Sequence, residues 1–162
     1  MHPVHVACIS ALLLLGCNYG ERSSGEFSSA ELDVIRGSGL LDSGEVIIQL
    51  HSNAGTWHPV LQAGNFFTDR RIARYWLDHE APERTSTKSA WLVDVDTLIP
   101  FFNNPWPASS YIEVRTGPRT WFNLYVNGEG SDARTISFYS DLLQHWRTAR
   151  TKQAQNVGVF HQ

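Results

Sequence analysis

Two carboxylates stand two residues apart directly after an apolar run. Asp94 and Asp96 follow the letters WLV in the segment WLVDVDTLIPF. Paired carboxylates can carry the acid–base chemistry of a hydrolase, so these residues are the first catalytic candidates. In the simpler interpretation, Asp94 lies on the solvent face of an alternating strand and Asp96 caps the turn that follows. The opposite face of that strand would then carry Trp91, Val93 and Val95.

The segment Asp94-Val95-Asp96-Thr97 resembles the first motif of the haloacid-dehalogenase phosphatases. The resemblance implies that Asp94 attacks phosphorus, that Asp96 is the acid and base, and that Mg²⁺ neutralises the phosphoryl oxygens. The family's glycine between the second aspartate and the threonine is absent here, and the later acidic residues are isolated. We therefore keep a small envelope hydrolase as an alternative and favour a chain that is not an enzyme.

Histidine and cysteine spacing does not predict a metal site. Beyond the first twenty residues no two histidines are spaced as H-x-H or H-x-x-x-H, and no cysteines are paired. The G-x-S-x-G and S-x-x-K motifs of covalent hydrolases are also absent from the sequence. We predict no metal, no cofactor and no catalytic residue.

Aromatic side chains are the better candidates for a functional surface. The segments FFNNPWPASSY and NAGTWHPV predict two loops, and the alternation in TWFNLYV predicts a strand with aromatic residues on its outer face. Tyrosine and tryptophan are enriched among the residues that anchor protein contacts, although such rings also fold back onto a core. The predicted binding residues are Trp57, Phe101, Phe102, Trp106, Tyr111, Trp121 and Tyr125.

The amino-terminal region has the pattern of a targeting signal. The first twenty residues contain no Asp, Glu, Lys or Arg, and the apolar run over residues 6–16 is shorter than the ~20 residues that span a bilayer. Its end, Leu14-Leu15-Gly16-Cys17, resembles the lipobox of bacterial lipoproteins. The resemblance implies cleavage before Cys17 and acylation of that cysteine. With Asn18 next, it also implies sorting to the outer membrane, facing the periplasm. An ordinary secretory signal or a buried helix are the alternatives.

The candidate residues must be positioned by the strands and helices of the rest of the chain. The run EVIIQLH predicts a buried strand and SAWLVDVDT a second strand, whereas TLIPFFNN predicts a short helical turn. TDRRIARYWLDHEAP predicts a helix, because Thr68 can cap it and apolar residues follow at helical spacing. SYIEVRTG, TWFNLYVNGEG and RTISFY predict an antiparallel meander. SDLLQHWRTARTK predicts a last helix that Ser140 caps.

Together these patterns predict an α+β fold with a small antiparallel sheet, a C-terminal meander and two main helices on one face. The predicted organisation is a signal peptide over residues 1–16, a lipidated cysteine and flexible tether over 17–30, one domain over 31–152 and a tail over 153–162. A net charge of −3 argues against a nucleic-acid partner. We expect a membrane-anchored envelope lipoprotein whose domain binds an envelope protein or glycan, of inhibitor, immunity or adaptor type.

Overall fold

The structure is a computed structural model, and it describes residues 21–23, 27–52, 62–78, 80–102, 109–126 and 132–158. The predictions for Cys17, Trp57 and Trp106 lie outside the described residues. The elements, in chain order, are β1 (Glu21–Ser23), α1 (Ser29–Gly37), β2 (Ile47–Ser52), β3 (Ala63–Thr68), β4 (Arg71–Trp76), β5 (Ser86–Trp91), β6 (Thr97–Phe101), β7 (Tyr111–Gly117), β8 (Thr120–Leu124) and α2 (Ala133–Gly158).

The described strands form two antiparallel sheets, which confirms the α+β prediction and its meander. The five-stranded sheet has the order β1-β2-β3-β4-β5, and the three-stranded sheet has the order β6-β7-β8. Within each sheet, strands that follow one another in sequence lie side by side. No helix in the described part of the chain is long and apolar enough to cross a membrane.

The central strands of the five-stranded sheet, β2, β3 and β4, are largely buried on both faces. Phe66 packs in a cluster with Ile35 of α1, whereas the next residue, Phe67, packs with Leu124 of β8 and Phe138 of α2. Successive side chains of a strand point to opposite faces, so this sheet is the middle layer of the domain. One hydrophobic cluster therefore lies between α1 and the five-stranded sheet, and the other lies between that sheet, the three-stranded sheet and α2.

Two-sided burial explains why the predicted helix after Thr68 is wrong. Residues 71–76 form strand β4, in which Ile72 belongs to one hydrophobic cluster and Tyr75 to the other. The Thr68 hydroxyl does accept hydrogen bonds from the N–H groups of Arg70 and Arg71, at 3.0 and 2.9 Å, as a helix cap would. Here those bonds hold the tight turn between β3 and β4.

The last helix begins earlier than the sequence predicts. The run RTISFY, predicted as a strand, forms the first turns of α2, with Thr135, Phe138 and Leu142 buried along one face. Ser140 does not cap the helix. Its hydroxyl donates to the carbonyl of Ile136 at 2.9 Å, one turn earlier in the same helix. β-branched and aromatic residues favour strands in isolation, but a helical stripe packed on a core overrides that preference.

Two further local predictions are corrected around Pro100. The predicted helical turn TLIPFFNN begins with β6, an edge strand in which Pro100 is opposite Ile112 of β7. An edge strand tolerates proline, because an outward-pointing N–H has no partner in the sheet. The predicted strand SAWLVDVDT ends at Trp91, and residues 92–94 form a short 3₁₀ turn.

The described elements extend beyond the predicted domain boundaries of 31 and 152. Strand β1 lies in the segment predicted as a tether and pairs with β2, with Glu21 opposite His51. Ser28 caps α1 in a capping box with Glu31, so the Ser-rich composition belongs here to a helix start. At the other end, α2 continues to Gly158, inside the predicted tail.

A buried ion pair joins the segment after α1 to the turn between β3 and β4. The Arg71 guanidinium contacts the Glu45 carboxylate at 2.9 Å and also bonds Asp42, and the Thr68 hydroxyl donates to Glu45 at 2.6 Å. Trp91 covers the pair, with the Arg71 Cζ atom 4.2 Å from its ring centroid. These contacts satisfy the carboxylate and the guanidinium where water is excluded.

A substitution at Gly64 tests how closely β3 approaches the Tyr75 side chain of β4. A Cβ atom at this position would lie 2.8 Å from the hydroxyl oxygen of Tyr75, which is buried, and 3.0 Å from the backbone oxygen of His51. We expect Gly64→Ala to lower the free energy of unfolding by about 1–3 kcal/mol, because neither neighbour can move freely. Denaturant unfolding measures the change.

Gly37 supplies the matched control. A Cβ atom at Gly37, at the end of α1, would meet nothing within 4 Å. Gly37→Ala should leave stability unchanged or raise it by up to about 1 kcal/mol. Equal stability of the two alanine variants would contradict the close packing of β3 on Tyr75.

Candidate functional site

The three-stranded sheet has one buried face and one open face. On β7 and β8 the side chains of Ile112, Val114, Phe122 and Leu124 are buried against the core. The alternate positions, among them Tyr111 and Trp121, point away from the core. This confirms the predicted facing of the TWFNLYV strand. We call the open side the aromatic face, defined by Phe101, Tyr111, Trp121 and Tyr125.

One end of the aromatic face is a row of rings that crosses the sheet. Phe101 of β6 is opposite Tyr111 of β7, and their rings stack with centroids 4.5 Å apart and planes 19° apart. Tyr111 meets Tyr125 on its other side, at 5.8 Å between centroids. The guanidinium of Arg74, on β4, then lies 6.0 Å from the Tyr125 ring. Tyr111 therefore has an aromatic ring on either side, and Tyr125 lies between the Tyr111 ring and the Arg74 guanidinium.

The other end of the face combines a tryptophan with a pair of charges. Trp121 is 57% exposed and lies opposite Arg115 on β7. The Arg115 guanidinium donates to the carboxylate of Glu113, which is two residues back along the same face. Glu113 is in turn opposite Asn123, whose amide donates to the Tyr125 hydroxyl at 3.3 Å. The exposed apolar surface of Trp121 therefore lies beside polar groups that can orient a bound partner.

The end of the aromatic face is held in place by two side chains of the five-stranded sheet. Sequence patterns do not identify either of them. The Asn65 amide, on β3, donates to the backbone carbonyl of Tyr125 at 2.7 Å. Arg74 donates to the backbone carbonyl of Asn123 at 3.1 Å. Both donors come from the five-stranded sheet, so the edge of β8 is tied to it. The two donors lie side by side on this sheet because Asn65 of β3 pairs with Arg74 of β4.

The structure brings together four of the seven predicted binding residues. Phe102 lies elsewhere, since its ring makes an edge contact with Tyr139 of α2 at 6.1 Å between centroids. Trp57 and Trp106 fall outside the described residues. The grouping of Phe101 and Tyr111 arises from strand pairing and not from the predicted loop, because Phe101 is the last residue of β6 and pairs with Tyr111, the first residue of β7.

The two carboxylates considered for hydrolysis lie on an exposed surface. Asp94 ends the 3₁₀ turn and Asp96 precedes β6, with its backbone N–H donating to the carbonyl of Arg115 at 2.8 Å. Val95 between them is fully buried, whereas Val93 is exposed, so the segment does not alternate as a strand. Within the described ranges no three His, Cys, Asp or Glu side chains are grouped so that they could hold a metal ion.

His51 is a titratable group buried in the interior. It lies on β2, is fully buried, and is opposite Asn65 on β3. Burial, together with the smaller effect of the positive charge of Arg134 at the start of α2, lowers the pKa of His51 from 6.5 to about 4. The imidazole is therefore neutral in the folded protein at neutral pH.

Comparisons with known proteins identify no family. No family model matches the chain, and no curated protein matches it. One similar solved structure is a DUF1696 family protein with a pleckstrin-homology domain from Shewanella loihica PV-4. It is 11% identical, with 79% of this chain and 97% of that chain covered, and the TM-score is 0.47.

The depressed pKa of His51 predicts a loss of stability in acid. In the unfolded chain His51 binds a proton as the pH falls below about 6.5. In the folded chain it stays neutral until the pH falls to about 4. Stability is therefore unaffected by His51 above pH 6.5, and falls by about 3 kcal/mol as the pH drops from 6.5 to 4. Denaturant unfolding of the wild type and His51→Gln across this range measures the difference in slope.

The half-buried His145 is the control for this titration. Its ring lies on α2 and packs on Phe67, with 5.4 Å between the ring centroids. His145→Gln should retain the steep acid dependence that His51→Gln loses. Parallel pH profiles for the wild type and His51→Gln would show that His51 titrates normally and is not buried as described.

Proposed function

We propose that this protein is a membrane-anchored cell-envelope lipoprotein whose domain binds another envelope protein through the aromatic face. The observation that carries the proposal is the grouping of four aromatic side chains on the open side of one sheet. Trp121 and Tyr125 remain 57% and 39% exposed there. Exposed aromatic residues that are fixed by their neighbours lose little conformational freedom on binding, which makes them effective anchors.

The orientation of the rings favours a protein partner over a glycan. Sugars stack on open ring faces, but Tyr111 is flanked by Phe101 and Tyr125, and Tyr125 is flanked by Arg74. Little open ring face is therefore left on these tyrosines for a sugar to stack on. A cluster of packed aromatic side chains beside polar groups suits a protein surface that supplies aliphatic groups and hydrogen-bond partners. The Glu113–Arg115 pair beside Trp121 adds directional polar contacts.

Support for the membrane anchor comes from the amino-terminal sequence. The lipobox-like segment ends at Cys17, and the chain becomes ordinarily charged from Glu21 onward. One acyl chain binds a bilayer only marginally, whereas two or more give a stable anchor. Acylation of both the thiol and the new amino terminus of Cys17 would therefore hold the domain permanently at a membrane surface. An inhibitor, immunity factor or assembly adaptor would act from such a position.

Trp121→Ala is the direct test of the aromatic face. With the acylated protein as bait in envelope extracts, we expect this variant to retain at least about tenfold less of a bound protein, which corresponds to about 1.4 kcal/mol. Its melting temperature should hardly change, because the side chain is exposed. Quantitative mass spectrometry of the captured material measures the loss.

Trp76→Ala is the matched control, since Trp76 is 46% exposed but lies on the five-stranded sheet. It should capture the partner as well as the wild type. Equal capture by Trp121→Ala and the wild type would refute the aromatic face as the binding surface. Captured material that resists proteases and contains sugar would favour the glycan alternative.

The anchor has a test of its own. Intact-mass analysis of the membrane fraction should find a chain that begins at Cys17 and carries acyl groups. Cys17→Ser should leave the full precursor unmodified, because serine lacks the thiol that accepts the lipid. A wild-type protein that keeps Met1 and a free thiol in the soluble fraction would contradict the anchor without affecting the aromatic face.

A further inference from the structure

The interior between β2, β3 and the start of α2 holds polar atoms that the described protein groups do not satisfy. His51 is fully buried, and neither of its ring nitrogens has a hydrogen-bond partner among the described residues. Buried polar side chains almost always have partners, and each exception calls for an explanation. A neutral imidazole has one N–H to donate and one nitrogen to accept, so His51 calls for both kinds of partner.

Asn65 adds an acceptor beside His51. Asn65 is fully buried directly opposite His51, and its Oδ1 atom has no partner within the described part of the chain. Rotating the amide would not help, because its Nδ2 atom already donates to the Tyr125 carbonyl at 2.7 Å. The orientation is therefore fixed by that bond, with the oxygen left over.

The first turn of α2 adds a hydroxyl. Thr135 is fully buried, and its Oγ1 atom also lacks a partner among the described groups. It follows Arg134, whose charge reaches His51, and lies one turn before Phe138, whose ring meets Phe67 at 5.2 Å. Phe67 is two residues beyond Asn65 on the same face of β3, so the buried side of the first turn of α2, which carries Thr135, packs on the same side of the sheet as the His51–Asn65 pair.

The chemistry of this cluster favours a neutral occupant over a charged one. A cation would face the positive charge of Arg134 and the positive end of the α2 dipole. An anion would face the Asn65 Oδ1 atom and the accepting nitrogen of a neutral imidazole. A small neutral molecule that both donates and accepts hydrogen bonds can satisfy all three side chains at once.

We propose that ordered water binds in this buried cluster and bridges His51, Asn65 and the Thr135 hydroxyl. Buried waters of this kind make about three hydrogen bonds to otherwise unsatisfied groups. The water would link β2 and β3 to the first turn of α2. Because it bonds the same Asn65 amide group that holds the Tyr125 carbonyl, it also supports the end of the aromatic face.

A high-resolution crystal structure of the wild-type chain tests this directly. We expect a density peak without anomalous signal within about 3.2 Å of a His51 ring nitrogen and of Asn65 Oδ1 or Thr135 Oγ1. Nuclear Overhauser contacts between slowly exchanging water and the Thr135 amide should accompany it in solution. Either a map with no peak at His51, or a peak with anomalous signal that marks a metal, would overturn the proposal. So would protein atoms that cover both ring nitrogens.

Variants separate the water from the histidine itself. His51→Leu removes the donor and the acceptor but keeps a similar volume, so the peak and the water contacts at Thr135 should disappear. His145→Leu changes a half-buried histidine on α2, the helix that carries Thr135. This variant should keep both the density peak and the water contacts at Thr135. A water that persists unchanged in His51→Leu would show that His51 does not bind it. Should that variant fail to fold, the wild-type map alone decides the question.

Discussion

The edge of β8 is held by hydrogen bonds that start inside the five-stranded sheet. Because β3 and β4 are largely buried on both faces, a hydrogen-bond donor on either strand needs a partner within the protein where bulk water does not reach. Asn65 and Arg74 meet this requirement by donating to the backbone carbonyls of Tyr125 and Asn123. The position of Tyr125, and with it the row of rings on the aromatic face, depends on these two bonds.

The same two-sided burial explains how far the sequence predicts this fold. Strand β8 is buried on one side only, so its alternation predicts both the strand and the outward facing of Trp121 and Tyr125. Strand β4 buries both sides, so its apolar residues lose the period of two and fall by chance at a helical spacing. Local signals cannot separate these cases, since Thr68 makes cap-like hydrogen bonds in a hairpin.

The candidate site shows a second limit of sequence patterns. Phe101 and Tyr111 are separated by a proline-containing segment that predicts a loop, yet they end as neighbours through the pairing of β6 with β7. That pairing is a property of two strands together, and the sequence of either strand alone does not predict it. The contributions of Asn65 and Arg74 are harder still to predict, because they depend on the packing of one sheet against another. Residue types therefore identify the aromatic candidates, and tertiary contacts decide which of them share a surface.

The pairing of β1 with β2 also constrains how a lipid anchor would present the domain. If Cys17 is acylated, only Asn18, Tyr19 and Gly20 separate it from Glu21, the first residue of the sheet. An extended chain covers at most about 3.5 Å per residue, so the sheet would begin within about 14 Å of the anchored cysteine. A flexible tether reaching to residue 30, as the composition suggests, would allow more freedom than that. The β1 edge of the five-stranded sheet would then lie within that distance of the acylated cysteine, so the anchor would hold the whole domain close to the membrane surface.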